Sequence, residues 1–224
     1  MNLKVAISTV ADGNMAVHPD LSNKTEVVQN RAAFLATQNI TTKNTSRVKI
    51  VYQGDDYCRY HEVDSHQKGG GMFGSDIVTA DGLITRQPGH ALFLPLADCV
   101  GVVIFDPNHH ILMLSHVGRH SLEQNGGHRS VKFLIDNYQC DPAELLVWLT
   151  PAPGRANYPL FAFENRDFKA VIYQQLESAG ITTGHITNDP TDTTQDKRYF
   201  SHSEFLRGNR TIDGRYAVVV MMEA

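Results

Sequence analysis

Two side chains with chemistry of their own bracket residues 95–121, "PLADCVGVVIFDPNHHILMLSHVGRHS": the thiol of Cys99 and the imidazole of His116. Between them lie two apolar runs separated by Asp106-Pro107-Asn108-His109, a pattern that predicts a β-hairpin. A tight turn at Pro107-Asn108, closed by Asp106 and His109, sets Cys99 directly opposite His116, with Cβ atoms roughly 4.5 to 5.5 Å apart. That separation suits two ligands of one metal ion, or a thiol beside the base that deprotonates it. Pro107 opposes the shortest turn, because two-residue hairpin loops favour positive φ. A longer loop moves the register by one or two residues and still leaves both groups at the same end. A cysteine or a histidine alone is explained by packing; their paired placement is what points to a site. His116, Arg119 and His120 are all able to stabilise a thiolate, while Asp98 either orients a ligand histidine or caps a turn. His109 and His110, at the hairpin tip, are expected to be exposed.

The elements that must hold this hairpin follow from patterning. LKVAIST, RVKIVYQ, the segments around GLIT and ALFLPL, AELLVWL and YAVVVMM read as strands. GDDYCRYHEVDSHQKGGGMFG extends the second of them, ending in a mobile loop at Gly69–Gly71. Turns fall at Asp81-Gly82 and Pro88-Gly89. Val27, Val28, Arg31, Phe34 and Leu35 recur at helical spacing, with Ser22 or Asn23 as N-cap. A second helix runs from about Gly127 to Tyr138, with Val131, Leu134 and Ile135 on one face, and a third spans NRDFKAVIYQQLES, stopped by Gly180. Strands and helices mix without regular βαβ alternation. The expectation is an α+β single domain over 1–224, with mixed β-sheets and flanking helices.

Composition narrows the function. The 224 residues carry a formal charge of −4 and no cluster of Lys and Arg. This argues against nucleic acid and anionic membrane as partners, since both need a basic surface. The segment MNLKVAISTVADGN is too polar for a signal peptide, and no apolar run approaches the roughly 20 residues of a membrane-spanning helix. Three cysteines, an odd number without paired spacing, predict no disulfide framework and a reducing, cytoplasmic setting.

ADGLITRQPGHALFLPLADCVGVVIFDP followed by LSHVGRHS resembles the signature of the laccase-domain family, also described as multicopper polyphenol oxidase-like or purine nucleoside phosphorylase-like. That signature runs A-D-G/A-x-x-T, then A-D-C-V-P, then V-H-A-G-W-R-G. GNMAVHPD with NRAAFL, TPAPGRANYPL and YFSH…GRYAVVV extend the resemblance over most of the chain. It implies a single α+β domain, a zinc ion bound by two His and one Cys, and phosphorolysis of purine nucleosides with adenosine deamination alongside. Carried over by position, Cys99 and His116 become two metal ligands and the catalytic centre. The family's third ligand is the His of a Q-V-H motif; here Asp55 falls at that position when Gln53 is aligned, with Asp56 and His61 as alternatives. The anion-binding half departs further, since W-R-G is replaced by RHS and S-Y-R-R by SHSEFLRGNR. Arg119, Arg207 and Arg215 are phosphate candidates, because a guanidinium binds two oxygens at once. His120 and Tyr158 are further substrate contacts, Tyr158 by stacking on a base. The expected ligands are thus a purine nucleoside, phosphate and zinc. One Cys with one or two His cannot assemble the several copper sites of a laccase. A metal-free cysteine hydrolase with a Cys99/His116 dyad, and a non-catalytic nucleotide-binding member, are the competing readings.

Overall fold

A computed structural model of the chain describes residues 2–17, 24–73 and 77–223. Ser22 and Asn23, the expected N-caps of the first helix, lie outside them. Among the described residues the strands are β1 (Leu3–Ile7), β2 (Thr45–Lys49), β3 (Tyr60–Glu62), β4 (Val78–Thr79), β5 (Gly82–Thr85), β6 (Ala91–Leu96), β7 (Val100–Asp106), β8 (Ile111–Val117), β9 (Leu146–Leu149), β10 (Ile186–Asn188) and β11 (Tyr216–Met222). The α-helices are α1 (Lys24–Thr37), α2 (Arg119–Glu123), α3 (Gly126–Tyr138), α4 (Phe168–Ser178) and α5 (His202–Leu206).

The strands form two mixed sheets, ordered β1-β11-β6-β2-β4 and β10-β9-β7-β8-β5-β3. Because strand side chains alternate between faces, each sheet offers one apolar face to the other sheet and one to helices. Leu92, Leu94, Val218 and Val220 of the first sheet meet Val103, Phe105, Leu112 and Leu114 of the second. Their neighbours Phe93 and Val219 turn outward onto Phe34 and Leu35 of α1. On the far side, Val102, Ile104 and Met113 pack on Val131 and Leu134 of α3 and on Phe168 and Ile172 of α4. The result is four layers, helix, sheet, sheet, helix, with β7 and β8 buried along their whole length. No helix is long and apolar enough to cross a membrane among the described residues.

The central hairpin forms with a different turn from the tightest one. Residues 107–110 all lie in the turn, and the ladder runs from Asp106↔Ile111 to Gly101↔His116 and Val100↔Val117. His116 therefore faces Gly101, and Cys99, one residue before β7, does not face His116. The cause is local. Asp106 caps the turn by accepting the N–H groups of Asn108 (2.8 Å) and His109 (2.9 Å), and His110 rather than Pro107 takes the positive φ, at 53°. His109 and His110 are exposed.

The segment after β2 does not extend it. Tyr60–Glu62 instead joins the other sheet, parallel to β5. The triple glycine is fastened by hydrogen bonds: the Gly70 carbonyl accepts the Arg47 N–H, and the Gly71 carbonyl accepts Arg31 Nη1 and Arg47 Nε. Gly180 ends α4 with φ +97°, as its sequence position implies.

His90 precedes β6 and is fully buried, its Nε2 2.8 Å from Ser46 Oγ and its Nδ1 unpartnered among the described residues. Burial, with Lys68 nearby, lowers its pKa from 6.5 to about 4. The unfolded chain then binds a proton that the folded chain refuses, so stability is intact above the higher value and lost as pH falls toward the lower. This group should remove on the order of 3 kcal/mol across that interval. Urea unfolding of the parent chain and His90→Leu at a series of pH values measures it; equal slopes in the two proteins exclude His90 as the cause.

Candidate active site

Cys99 and His116 meet at the open end of the hairpin despite the register. Asp98 takes φ +70° just before β7 and turns the chain there. Its buried carboxylate accepts the backbone N–H of Ser203 at the start of α5 (2.6 Å) and the hydroxyl of Thr193 (3.3 Å). Asp98 thus caps a helix start rather than orienting a histidine. At the other strand end, the His116 N–H donates to the Asp81 carbonyl (2.7 Å), and Arg59 holds the Asp81 carboxylate at 2.7 Å. The Gly118 N–H donates to Ser121 Oγ (2.9 Å), which fixes the entry to α2.

Gly118 is the pivot of the arrangement. A Cβ on it would lie 3.1 Å from Cys99 Sγ, 3.1 Å from His116 Cε1 and 3.5 Å from His116 Nε2. Thiol and imidazole therefore face one another across the space that a side chain at 118 would take. Burial lowers the His116 pKa to about 4, so its ring is neutral, the form that binds metals. Burial and then the Asp98 charge push the Cys99 thiol up to about 12, so it stays protonated until a cation displaces the proton. This donor pair and the cradle between them fit a zinc ion, supplying two of the three protein ligands usual at a catalytic zinc.

A cleft of about 730 Å³ opens above the pair, and its walls include Arg119, His120, Tyr158, Arg207 and Arg215. The arginines differ in commitment. Arg207 Nη1 pairs with Glu204 (2.5 Å) and its Nη2 donates to the Asn157 carbonyl (2.5 Å). Arg215 Nη1 pairs with Asp213 (2.6 Å) and donates to the Gly214 carbonyl (2.8 Å). Arg119 is exposed at the first position of α2 and has no such acidic partner among the described residues. His120 stacks on Tyr57 with ring centroids 4.9 Å apart, and Tyr158 leans on Phe168 at 5.9 Å.

The three candidates for the third ligand lie elsewhere. Asp55 is exposed, its carbonyl accepting Gln124 Nε2 at 2.6 Å. Asp56 caps the Cys58 N–H (3.0 Å) and pairs with Arg129 (3.2 Å). His61 is on β3, 3.0 Å from Gln67 Nε2, beside a second depression with Lys43, His66 and Lys68. None of the three lines the cleft. Cleft residues not singled out from sequence include Tyr52, edge-on to His116 at 6.1 Å, Asp81 and His202. His202 Nδ1 is 2.9 Å from Asp213 Oδ1. Asp81 stands within the ADG motif and His202 within YFSH, so position in the motif is the signal that marks both.

Among the described residues, one trio of metal-ligating side chains has its ligand atoms all within 4.8 Å of one another: Asp106, His109 and Cys140, at the opposite end of the hairpin.

Fold and site together describe a protein of the laccase-domain class that the motifs resemble. The chain belongs to the family described as multi-copper polyphenol oxidoreductase laccase, whose model matches residues 5–163 and 163–223. Similar solved structures include YlmD from Geobacillus stearothermophilus, at 22% identity and a TM-score of 0.87, covering 99% of this chain and 92% of that one. The hypothetical protein YfiH of Bacillus licheniformis has 20% identity and a TM-score of 0.86, with 99% and 93% covered. The Neisseria meningitidis protein NMB0706 has 16% identity and a TM-score of 0.75, with 100% and 95% covered. At these identities the likeness establishes the fold. No functionally curated protein matches the chain in sequence.

Proposed function

We propose that the chain is a zinc-dependent purine nucleoside phosphorylase with adenosine deaminase activity at the same site. The observation that carries this reading is the convergence of Cys99 Sγ and the His116 ring on the missing Cβ of Gly118, within the cleft lining. Cys99 and His116 would hold the ion, which supplies Lewis acidity or a hydroxide near neutral pH. Among the described residues Arg119 is the cleft guanidinium without an acidic partner and would take phosphate, whereas Arg207 and Arg215 pair with Glu204 and Asp213. Tyr52, Tyr158 and Phe161 offer aromatic surface for a purine. In phosphorolysis a phosphate oxygen bonds to the sugar C1′ as the C1′–purine bond breaks, and the departing base needs a proton. His202, with Nδ1 held by Asp213, would supply it from Nε2 of its imidazolium.

A Cys99 nucleophile activated by His116 is the less favoured reading, because the thiol is held protonated rather than poised as thiolate. The deciding experiment is metal content by mass spectrometry on protein purified without chelator. Cys99→Ala should contain about one zinc per chain less than the parent, and the parent should convert adenosine or inosine in the presence of phosphate. Equal metal in both proteins removes the zinc reading and sends the question to thiol-reactive probes of Cys99. Zinc lost without any turnover in the parent favours a non-catalytic nucleotide-binding member.

A further inference from the structure

The β7–β8 hairpin carries a second gathering of metal-ligating groups at its tip, roughly 20 Å from the cleft by the length of a seven-residue strand. Asp106 divides its two carboxylate oxygens between different tasks. Oδ1 caps the turn, accepting the N–H groups of Asn108 and His109. Oδ2 accepts His109 Nδ1 at 2.8 Å and has no backbone donor among the described residues, and the Cys140 thiol lies within 4.8 Å. An imidazole and a thiol thus flank one buried carboxylate, with ligand atoms within 4.8 Å of it and of each other.

We propose that Asp106, His109 and Cys140 form a binding site for a zinc-class divalent ion, distinct from the cleft, which fastens the hairpin tip to the chain leaving α3. A cation entering here displaces the protons on the Cys140 thiol and on His109 Nδ1. Cys140 releases its proton to solvent, and His109 moves its own to Nε2 and stays neutral. The thiolate and carboxylate together balance the ion's charge. Asp106 and Cys140 are 1% and 3% exposed, so their dehydration is already met by folding. The Oδ1 cap orients the carboxylate in advance, as outer hydrogen bonds do for ligating carboxylates. His109 is half exposed, which provides an entry path and leaves a remaining coordination position to water. Sulfur, nitrogen and oxygen donors in one site select zinc-like ions over magnesium or calcium, which take oxygen alone.

The proposal stands independently of the cleft reading, and its test removes the cleft pair first. Chelator-treated Cys99→Ala protein is titrated with Co²⁺, reading thiolate-to-cobalt charge-transfer absorption, and with Zn²⁺, reading the thermal unfolding midpoint. The expected result is about one Co²⁺ per chain with a thiolate band, and a midpoint that rises with Zn²⁺ concentration. Adding Cys140→Ser should abolish the band, and adding His109→Ala should weaken binding about tenfold or more. No uptake by Cys99→Ala, or a band that survives Cys140→Ser and so belongs to Cys58, overturns the proposal. Because Cys140 is buried, the exposed His109 variant decides the matter if the Cys140 variant does not fold: unchanged affinity there also overturns it. Failure in this background leaves untouched the ion that the parent loses on Cys99→Ala.

Discussion

On the proposed zinc reading, replacing Gly118 by valine should empty the cleft of metal and activity, and lower the unfolding midpoint by the overpacking and the lost ion alone. Gly118 has φ −97° and ψ −179°, an extended conformation open to any residue, so the substitution adds no backbone strain. What changes is the space between Cys99 Sγ and His116 Cε1, each 3.1 Å from the new Cβ. Alanine already obliges both groups to give by a few tenths of an ångström, and its methyl stands between the donors. Valine adds two further carbons in the same gap. Outer hydrogen-bond partners of a metal site are worth 10- to 100-fold in affinity; an atom placed between the ligands themselves should cost about a hundredfold or more. The Ser121 contacts to Gly118 involve only its backbone and persist in both variants. Metal analysis beside thermal unfolding separates the two effects. A folded Gly118→Val protein that keeps its full metal content and its turnover means that the ion does not sit between Cys99 and His116.

That pivot shows what was legible in the sequence. Two apolar runs around a polar turn placed Cys99 and His116 at one end of a hairpin, and this local pattern survived in the fold. The register did not follow from the same residues, because it depended on whether Asp106 would cap two turn N–H groups or close the ladder early. Gly118, opposite Cys99 in the actual register, carries no side chain to advertise its role. The layered architecture was readable because strand alternation and the α3 and α4 stripes are local periodicities. The five-residue helices α2 and α5 are too short to show a period, yet they bring Arg119 and His202 to the cleft. Charge commitment was the least legible property. Arg215 is a phosphate candidate in the sequence, and the fold sets Asp213 on its guanidinium; Cys140, one of three unpaired cysteines there, lies beside Asp106. Pairings across 34 positions, as between those two, have no sequence signature.

A large loss of stability is expected at Arg31, the one charged member of the apolar face of α1. Arg31 is 2% exposed. Its Nε donates to the Met15 carbonyl (2.8 Å), and Nη1 donates to the carbonyls of Gly71 and Met72 (3.3 Å each). It thereby joins α1, the segment before it and the glycine turn between β3 and β4 through backbone groups that have few alternatives. The guanidinium is itself under stress. Burial, then the neighbouring Arg47 charge, lowers its pKa to about 9, and Nη2 has no partner among the described residues. Two opposed effects thus act on Arg31→Met, which keeps the stem's bulk. Removing the cation relieves desolvation and the Arg47 repulsion, a gain that replaced buried charges sometimes return as 1 to 4 kcal/mol. Against it, three buried carbonyls lose their donor at about 1 to 3 kcal/mol each. A carbonyl bonded at 2.8 Å loses near the upper figure, whereas the two 3.3 Å bonds are weaker and share one nitrogen. The balance should be a loss of about 3 kcal/mol, a large share of the roughly 5 to 15 kcal/mol that holds a domain folded. Urea unfolding should show a lower midpoint at an unchanged slope. Arg31→Lys, which restores a charge but not the forked donor, should recover only part of it. A variant Arg31→Met as stable as the parent means that relief of the buried charge outweighs the carbonyl bonds, and that Arg31 serves the position of the glycine turn rather than the stability of the fold.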